Sequence, residues 1–294
     1  MFLLIAAAID KKPLPGFFHL TMGSATELAI RYTLFAGVAW LLGYVIFKRR
    51  WFHRKIIAKF PKNREIWREI GYSAISVVIF AMVSTFTIYA WHEGWTQIYR
   101  KVSKYGMWWF WLSIPVAALI HDTWFYWTHR LMHHRRLFRW FHRTHHLSHN
   151  PTPWAAYAFS PLEAVLQAAI FPIVVTIMPM HLYAFGLFML WQITYNIAGH
   201  SGYEFHPRWF MKSPLRYVFN TPTNHIMHHE TMRGNYGLYF NFWDRLMGTN
   251  HEKYEERFLE VTGADAKTQA KDAGTPTPAP APVGTPASAG ASSS

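Results

Sequence analysis

The chain has 294 residues, 51% of them hydrophobic and 18% aromatic, with 29 Lys and Arg against 16 Asp and Glu. It has no cysteine, which excludes disulfides, thiolate metal sites and cysteine nucleophiles. The charges lie between long apolar runs, so the basic balance points to a membrane and not to nucleic acid.

Residues 1–27 read as an N-terminal interfacial segment, because the apolar start lacks a basic n-region and soon meets "IDKKP". Residues 28–106 read as N-terminal transmembrane helices joined by a basic loop. The run 28–47 carries one charge, Arg31, and the run 72–91 carries none. Each is long enough to cross about 30 Å of hydrocarbon as a helix. The run 107–120 opens with "MWWFW", which suits an aromatic belt at an interface, and crosses only if its helix continues through "HDTWFYW". The run 164–198 is broken at "MPMH" and reads as a helical hairpin. The expected fold is an all-α integral membrane protein with four or five transmembrane helices and a cytoplasmic histidine-rich helical cap. The region 107–262 reads as one further domain, and 263–294 as an Ala/Pro/Ser-rich tail that cannot bury enough surface to order itself.

Loop 48–68 holds nine Lys and Arg against one Glu, which places it on the cytoplasmic side. Counting crossings from that loop brings the block starting at His121, the segment "GHSGYEFH" and the segment "NHIMHH" to the same face. The expected location is a bacterial inner membrane or the endoplasmic reticulum.

The histidine spacing is that of a metal site. His129 and His133 are i and i+4, while His142, His145 and His146 form H-x-x-H-H, and His225, His228 and His229 repeat that spacing. Neutral imidazole ligates zinc, iron, copper and nickel. These eight exceed what one ion needs and suit two. His200, just past the last apolar helix, is added as a ninth, with Asn196 one turn earlier as an outer hydrogen-bonding group. His134 faces about 100° away from His133 and stays outside the set, and His121 reads as an outer or interfacial residue. Asp122, Glu163, Glu230 and Asp244 are the nearby carboxylates that could accept the second N–H of a ligating histidine. Asp244 could instead pair with Arg245 or cap the fold. Arginines at 130, 135, 136, 139 and 143 suit lipid headgroups, a task for which mostly neutral histidine is poorly fitted. A membrane metal transporter would hold its ligands near the bilayer midplane, whereas these lie beyond the helix ends.

The segments "HDTWFYWTHRLMHH", "FHRTHH", "SPLEA", "GHSGYEF" and "NHIMHHETMRGNYGLYFNFWDRLMGT" together resemble the fatty acid hydroxylase and sterol desaturase superfamily of membrane-bound di-iron enzymes. The resemblance covers roughly residues 108–250 and implies that the region 107–262 is the catalytic domain. It implies that His129 and His133 belong to a first histidine box, His142, His145 and His146 to a second, His225, His228 and His229 to a third, and His200 to the additional ligand between boxes. It further implies two iron ions, with zinc as a possible substitute, dioxygen as co-substrate, and a membrane lipid such as a sterol, fatty acyl chain or polar lipid. Hydroxylation is the expected outcome, with desaturation as the alternative. No dinucleotide, flavin or haem-attachment motif is present, so electrons are expected from a separate reductase, ferredoxin-like or haem carrier.

Overall fold

The computed structural model describes residues 13–263, so the expectations for the apolar start and for most of the tail lie outside the described residues. Helix α1, Phe17–Trp40, continues as a π-helical segment, Leu41–Ile46. It starts well ahead of Leu28, where the apolar run begins, inside the segment expected to lie at the interface. The cause is packing. Ser24 is fully buried, and Thr21 Oγ1 bonds Thr85 Oγ1 at 3.0 Å, so small and hydroxyl residues serve as the contact face of this first stretch.

Helix α2, Asn63–His92, opens with the Glu65 carboxylate accepting from the Lys62 backbone N–H at 2.8 Å. Its buried face is rich in small and hydroxyl residues, Ser73, Ser76, Ala81, Ser84 and Thr85, while Ile75, Val78, Met82 and Phe86 form an exposed stripe at helical spacing. Helix α1 and its π-helical continuation likewise expose Phe18, Ile30, Leu34, Val38 and Val45. Large apolar residues outside and small ones between helices suit a lipid surrounding, not water. Two helices, Phe17–Ile46 and Asn63–His92, are long and apolar enough to cross a membrane by length and composition.

Strand β1, Ile98–Tyr99, leads to α3, Gly106–Met132, which does continue through "HDTWFYW". Short helices α4, Phe138–Phe141, and α5, Arg143–His146, carry the chain across the end of the bundle. Helix α6, Pro161–Ile177, starts at Ser160, whose Oγ accepts from Glu163 N at 3.2 Å, with Pro161 at the first helical position. The chain breaks where "MPMH" predicts. There Met180–His181, strand β2, pairs in parallel with β1 before α7, Leu182–His200. Helices α8, Pro222–Thr231, α9, Phe242–Leu246, and α10, Tyr254–Gly263, complete a cap. In the bundle α1 packs on α2, α2 on α6 and α3 on α7. Helices α3 and α7 end, and α6 begins, at the cap, so three parts of the bundle deliver side chains to one layer.

Candidate metal centre

Nine histidines converge in that layer as two groups. His129, His133, His142, His146 and His228 form the first, and His145, His200, His225 and His229 the second. Within each group one ring nitrogen per residue lies within 4.8 Å of the others. They are the eight residues selected by spacing together with His200, selected by its place at the end of an apolar helix. The adjacent His145 and His146 serve different groups, as do His228 and His229, because one residue step on a helix turns the side chain by about 100°.

The contacts inside each group fit a cation. In the first, Nε2 of His133 lies 3.1 Å from His228 Nε2 and 3.1 Å from His146 Nε2, which is 3.0 Å from His228 Nε2. In the second, His200 Nε2 lies 3.2 Å from His145 Nε2 and 2.9 Å from His225 Nε2. A triangle of three imidazole nitrogens cannot be satisfied by N–H to N bonds alone. Nitrogens bound at about 2.1 Å to one ion, at right angles, would stand about 3.0 Å apart. His129 Nε2, His142 Nε2 and both nitrogens of His229 are buried without any hydrogen-bond partner among the described residues. A shared metal in each group would satisfy one inward nitrogen of each of these residues together.

Outer contacts fix which nitrogen carries the proton. His129 Nδ1–H donates to the Tyr236 carbonyl at 2.8 Å, His228 Nδ1–H to the Gly234 carbonyl at 2.7 Å, and His200 Nδ1–H to the Asn196 carbonyl at 2.8 Å. His142 Nδ1–H faces Glu163 Oε1 at 2.6 Å, both residues being buried. Each leaves the Nε2 lone pair turned inward. Burial, chiefly, and the neighbouring imidazoles hold His142, His145, His146, His225, His228 and His229 well below the ordinary imidazole range, so they are neutral and ready to ligate.

The turn after α8 makes two of these contacts possible. Met232, Gly234 and Asn235 all adopt positive φ, which folds the chain back so that the Gly234 carbonyl meets His228. A Cβ on Gly234 would lie 2.5 Å from the Thr249 carbonyl oxygen, so only glycine fits. Asp244 clamps the following loop by accepting from Tyr236 N, Gly237 N and Thr249 Oγ1, each at 2.8 Å. Asp122 Oδ1 accepts from Leu238 N at 3.1 Å and Tyr239 N at 2.7 Å.

Asp122 and Asp244 therefore act one step behind the position expected of them: they hold the backbone that holds the histidines. Asp244 does not pair with Arg245, which pairs with Glu255 at 3.0 Å. Asn196 supplies its backbone carbonyl to His200, while its side-chain amide donates to the Ala156 carbonyl at 2.8 Å. Glu230 is exposed, beside Arg257, because one step past His229 turns it off the histidine face of α8. His134 is exposed, and His121 is buried in the bundle outside both groups. The carbonyls of Tyr236 and Gly234 carry no side-chain signature and are absent from the sequence reading. Glu163 was legible only as one nearby carboxylate among four.

The fatty acid hydroxylase family profile matches residues 114–249, a span that contains all nine histidines. A Delta(7)-sterol 5(6)-desaturase of Gibberella zeae is 31% identical over 230 residues, covering 78% of this chain and 67% of that protein. One of Leptosphaeria maculans is 29% identical over 244 residues, covering 82% and 64%, and the lathosterol oxidase of Mus musculus is 29% identical over 196 residues, covering 65% and 62%. The chain thus spans from 62% to 67% of the length of these three relatives. No solved structure matches it. The layered histidines, their order along the chain and these likenesses agree, and the chain belongs to the fatty acid hydroxylase family.

Proposed function

We propose that the chain is a multi-pass membrane oxidoreductase in which the two histidine groups hold two iron ions and a lipid is oxidised at an unactivated C–H bond. The division of nine histidines into two converging sets carries this reading. Bound iron would supply the activation of dioxygen that side-chain acids and bases cannot provide. The protein's own part is position and dryness. Glu163 and the carbonyls of Gly234, Tyr236 and Asn196 orient the imidazoles. Phe125 and Phe159 pack against His129 and His145, each with 5.1 Å between ring centres, and keep water from the bundle side of the layer. The basic loop 48–68 supports a cytoplasmic site, and an external carrier delivers two electrons per turnover.

For hydroxylation, one atom of dioxygen enters the C–H bond and the other leaves as water. For desaturation, two hydrogens leave the lipid and both oxygen atoms leave as water. Each consumes two electrons and two protons from outside. The resemblance of the motifs favours hydroxylation. The names of the relatives favour the second reading, desaturation of a sterol-like lipid. Lipid mass spectrometry of membranes from cells with the wild type and with a His145→Ala, His228→Ala variant separates them. A wild-type-specific gain of one oxygen means hydroxylation, and a loss of two hydrogens means desaturation. Purified protein that binds no metal would overturn the reading.

A further inference from the structure

A row of oxidisable rings runs from the first histidine group to the surface of the bundle. Tyr236 packs its ring on three of the five imidazoles, with centres 5.5 Å from His129, 5.2 Å from His133 and 5.5 Å from His228. Its ring centre is 6.2 Å from that of Tyr126, which stacks on Trp243 at 5.7 Å, and Trp243 meets Trp127 at 5.6 Å. Tyr126 is fully buried, whereas Trp127 is 43% exposed, so the row begins at the imidazoles and ends outside. The second group has no such neighbour. Among the described residues the one ring packed on it, apart from imidazoles, is Phe159.

Packing alone does not account for Tyr126. A phenylalanine would fill the same space without a hydroxyl that burial makes costly to leave unpaired. That hydroxyl stands in a chain of bonds whose direction is fixed. Arg130 Nη1 can only donate, and does so to Tyr126 Oη at 3.1 Å. Asp244 Oδ1 accepts from Thr249 Oγ1 at 2.8 Å, which leaves Thr249 Oγ1 to accept the phenolic proton at 2.9 Å. A phenol sheds its proton when it loses an electron, and this one has a path for it to a carboxylate. With no cysteine in the chain, phenol and indole are its side chains most readily oxidised by one electron.

We propose that Tyr126 is a redox-active side chain that gives an electron to the first group when dioxygen is consumed without a lipid, sparing the ligating imidazoles from oxidation. The proposal rests on the oxidoreductase reading and adds a second fate for its oxidising power. In lipid oxidation, two of the four electrons that dioxygen takes come from the carrier and two from the lipid. Without a lipid the second pair comes from Tyr126, one electron at a time through the Tyr236 ring, and dioxygen leaves as two waters. Each electron lost by the phenol is matched by a proton passed to Thr249 as Thr249 passes its own to Asp244. Trp243 then returns an electron to the tyrosyl radical, which recovers its proton from Thr249. Trp127 re-reduces Trp243, and the external carrier re-reduces Trp127 at the surface. Two such rounds bring the total to four carrier electrons and four solvent protons for each dioxygen.

The test uses the full chain loaded with iron, freed of lipid in dodecyl maltoside, reduced, and mixed with dioxygen. Freeze-quenched samples should show a tyrosyl radical by electron paramagnetic resonance, and Tyr126→Phe should lose it. Thr249→Val keeps every ring and removes the proton path, so the radical should form about a hundredfold more slowly. Trp243→Phe should make it persist for longer. After repeated lipid-free turnover, peptide mass spectrometry should find oxidised histidine in the first group of Tyr126→Phe and little in the wild type. Iron content, and oxygen uptake with a total membrane lipid extract, are read on the same samples and should match. A second arm needs no metal. Because the chain lacks cysteine, Leu131→Cys, at an exposed position one turn after Trp127, can carry a single ruthenium photo-oxidant. A flash on the metal-free protein should produce a phenoxyl absorption that is missing when Tyr126→Phe is added. Iron-loaded wild type that oxidises lipid but forms no tyrosyl radical without it overturns the proposal and leaves the oxidoreductase reading standing. A radical that survives Tyr126→Phe, or a flash that yields none, does the same. Protein that forms the flash-induced radical but binds no iron overturns the oxidoreductase reading, and the proposal with it.

Discussion

The two histidine groups share a donor type and differ in how they are held. In the first, three of five imidazoles donate Nδ1–H to fixed acceptors: His129 to Tyr236, His142 to Glu163 and His228 to Gly234. In the second, His200 alone has such an outside acceptor of ordinary geometry among the described residues, while His225 Nδ1 and both nitrogens of His229 have none. Fixed acceptors set the tautomer and the ring plane before any ion arrives. The first group is therefore preorganised, and the second draws more of its order from the metal. Ordering those rings on binding costs free energy, so the second group should hold its ion more weakly.

The largest effect separates the groups by two adjacent residues. His146→Ala removes a ligand from the first group and His145→Ala one from the second. Each should abolish lipid oxidation, but each should leave about one equivalent of iron per chain in place of about two. Elemental analysis after equilibration with a competing chelator would read this directly. Under chelator the wild type should fall first to the content of His145→Ala, because the second group empties first. Loss of both ions from either variant would mean that the groups are not separable.

A smaller effect tests the bracing itself. Glu163→Leu leaves all nine histidines in place and removes the acceptor of His142 Nδ1–H. Loss of such an outer partner costs about 10–100-fold in metal affinity. It should fall on the first group alone, erasing the order of release that the wild type shows. Glu163→Gln, which keeps an acceptor oxygen but not the charge, should lie between the two. If iron release is unchanged in both, the buried carboxylate is a packing element.

Acidification should act on both groups, with a defined sign. His133 is lowered to about 4, chiefly by burial, and the six other imidazoles of the cap segments are held low for the same reason. In the unfolded chain they titrate near 6.5. Above that pH neither state is protonated and these groups give no pH dependence. Below it the unfolded state binds more protons, so stability falls, and for His133 the loss continues to about pH 4. The imidazole contribution, read as the difference in thermal midpoint between metal-free wild type and metal-free His133→Phe, should be level above about pH 7 and decline from 6.5 downward. A difference that stays level to pH 5 would contradict a neutral, buried imidazole at His133.

What the sequence displayed, and what it hid, follows from the same distinction between side chain and backbone. Eight histidines were legible because spacings of three and four bring side chains to one helix face, and His200 because it stands at the end of an apolar run. The break at "MPMH" was legible because proline ends a helix. Hydropathy missed the start of α1, since Ser24 and Thr21 pack against α2 without being apolar. The roles of Asp122 and Asp244 were placed too close to the metal, because proximity in sequence does not show that a carboxylate is satisfied by N–H groups of a loop.

The smallest effect distinguishes an outer partner that is a side chain from one that is backbone. Asn196 stands one turn before His200, where its amide would be expected to matter, yet His200 bonds its carbonyl oxygen, which any residue supplies. The amide instead ties α7 to the carbonyl of Ala156, in the turn Pro153–Tyr157. Asn196→Ala should therefore keep iron in the second group at the wild-type level and lower the thermal midpoint by a few degrees, reflecting about 1 kcal/mol for one lost buried bond. Set beside Glu163→Leu, it compares two positions that sequence alone treats as equivalent. A tenfold loss of iron from Asn196→Ala would place the side chain in the second group's support, and the contrast between a braced group and a metal-ordered one would shrink accordingly.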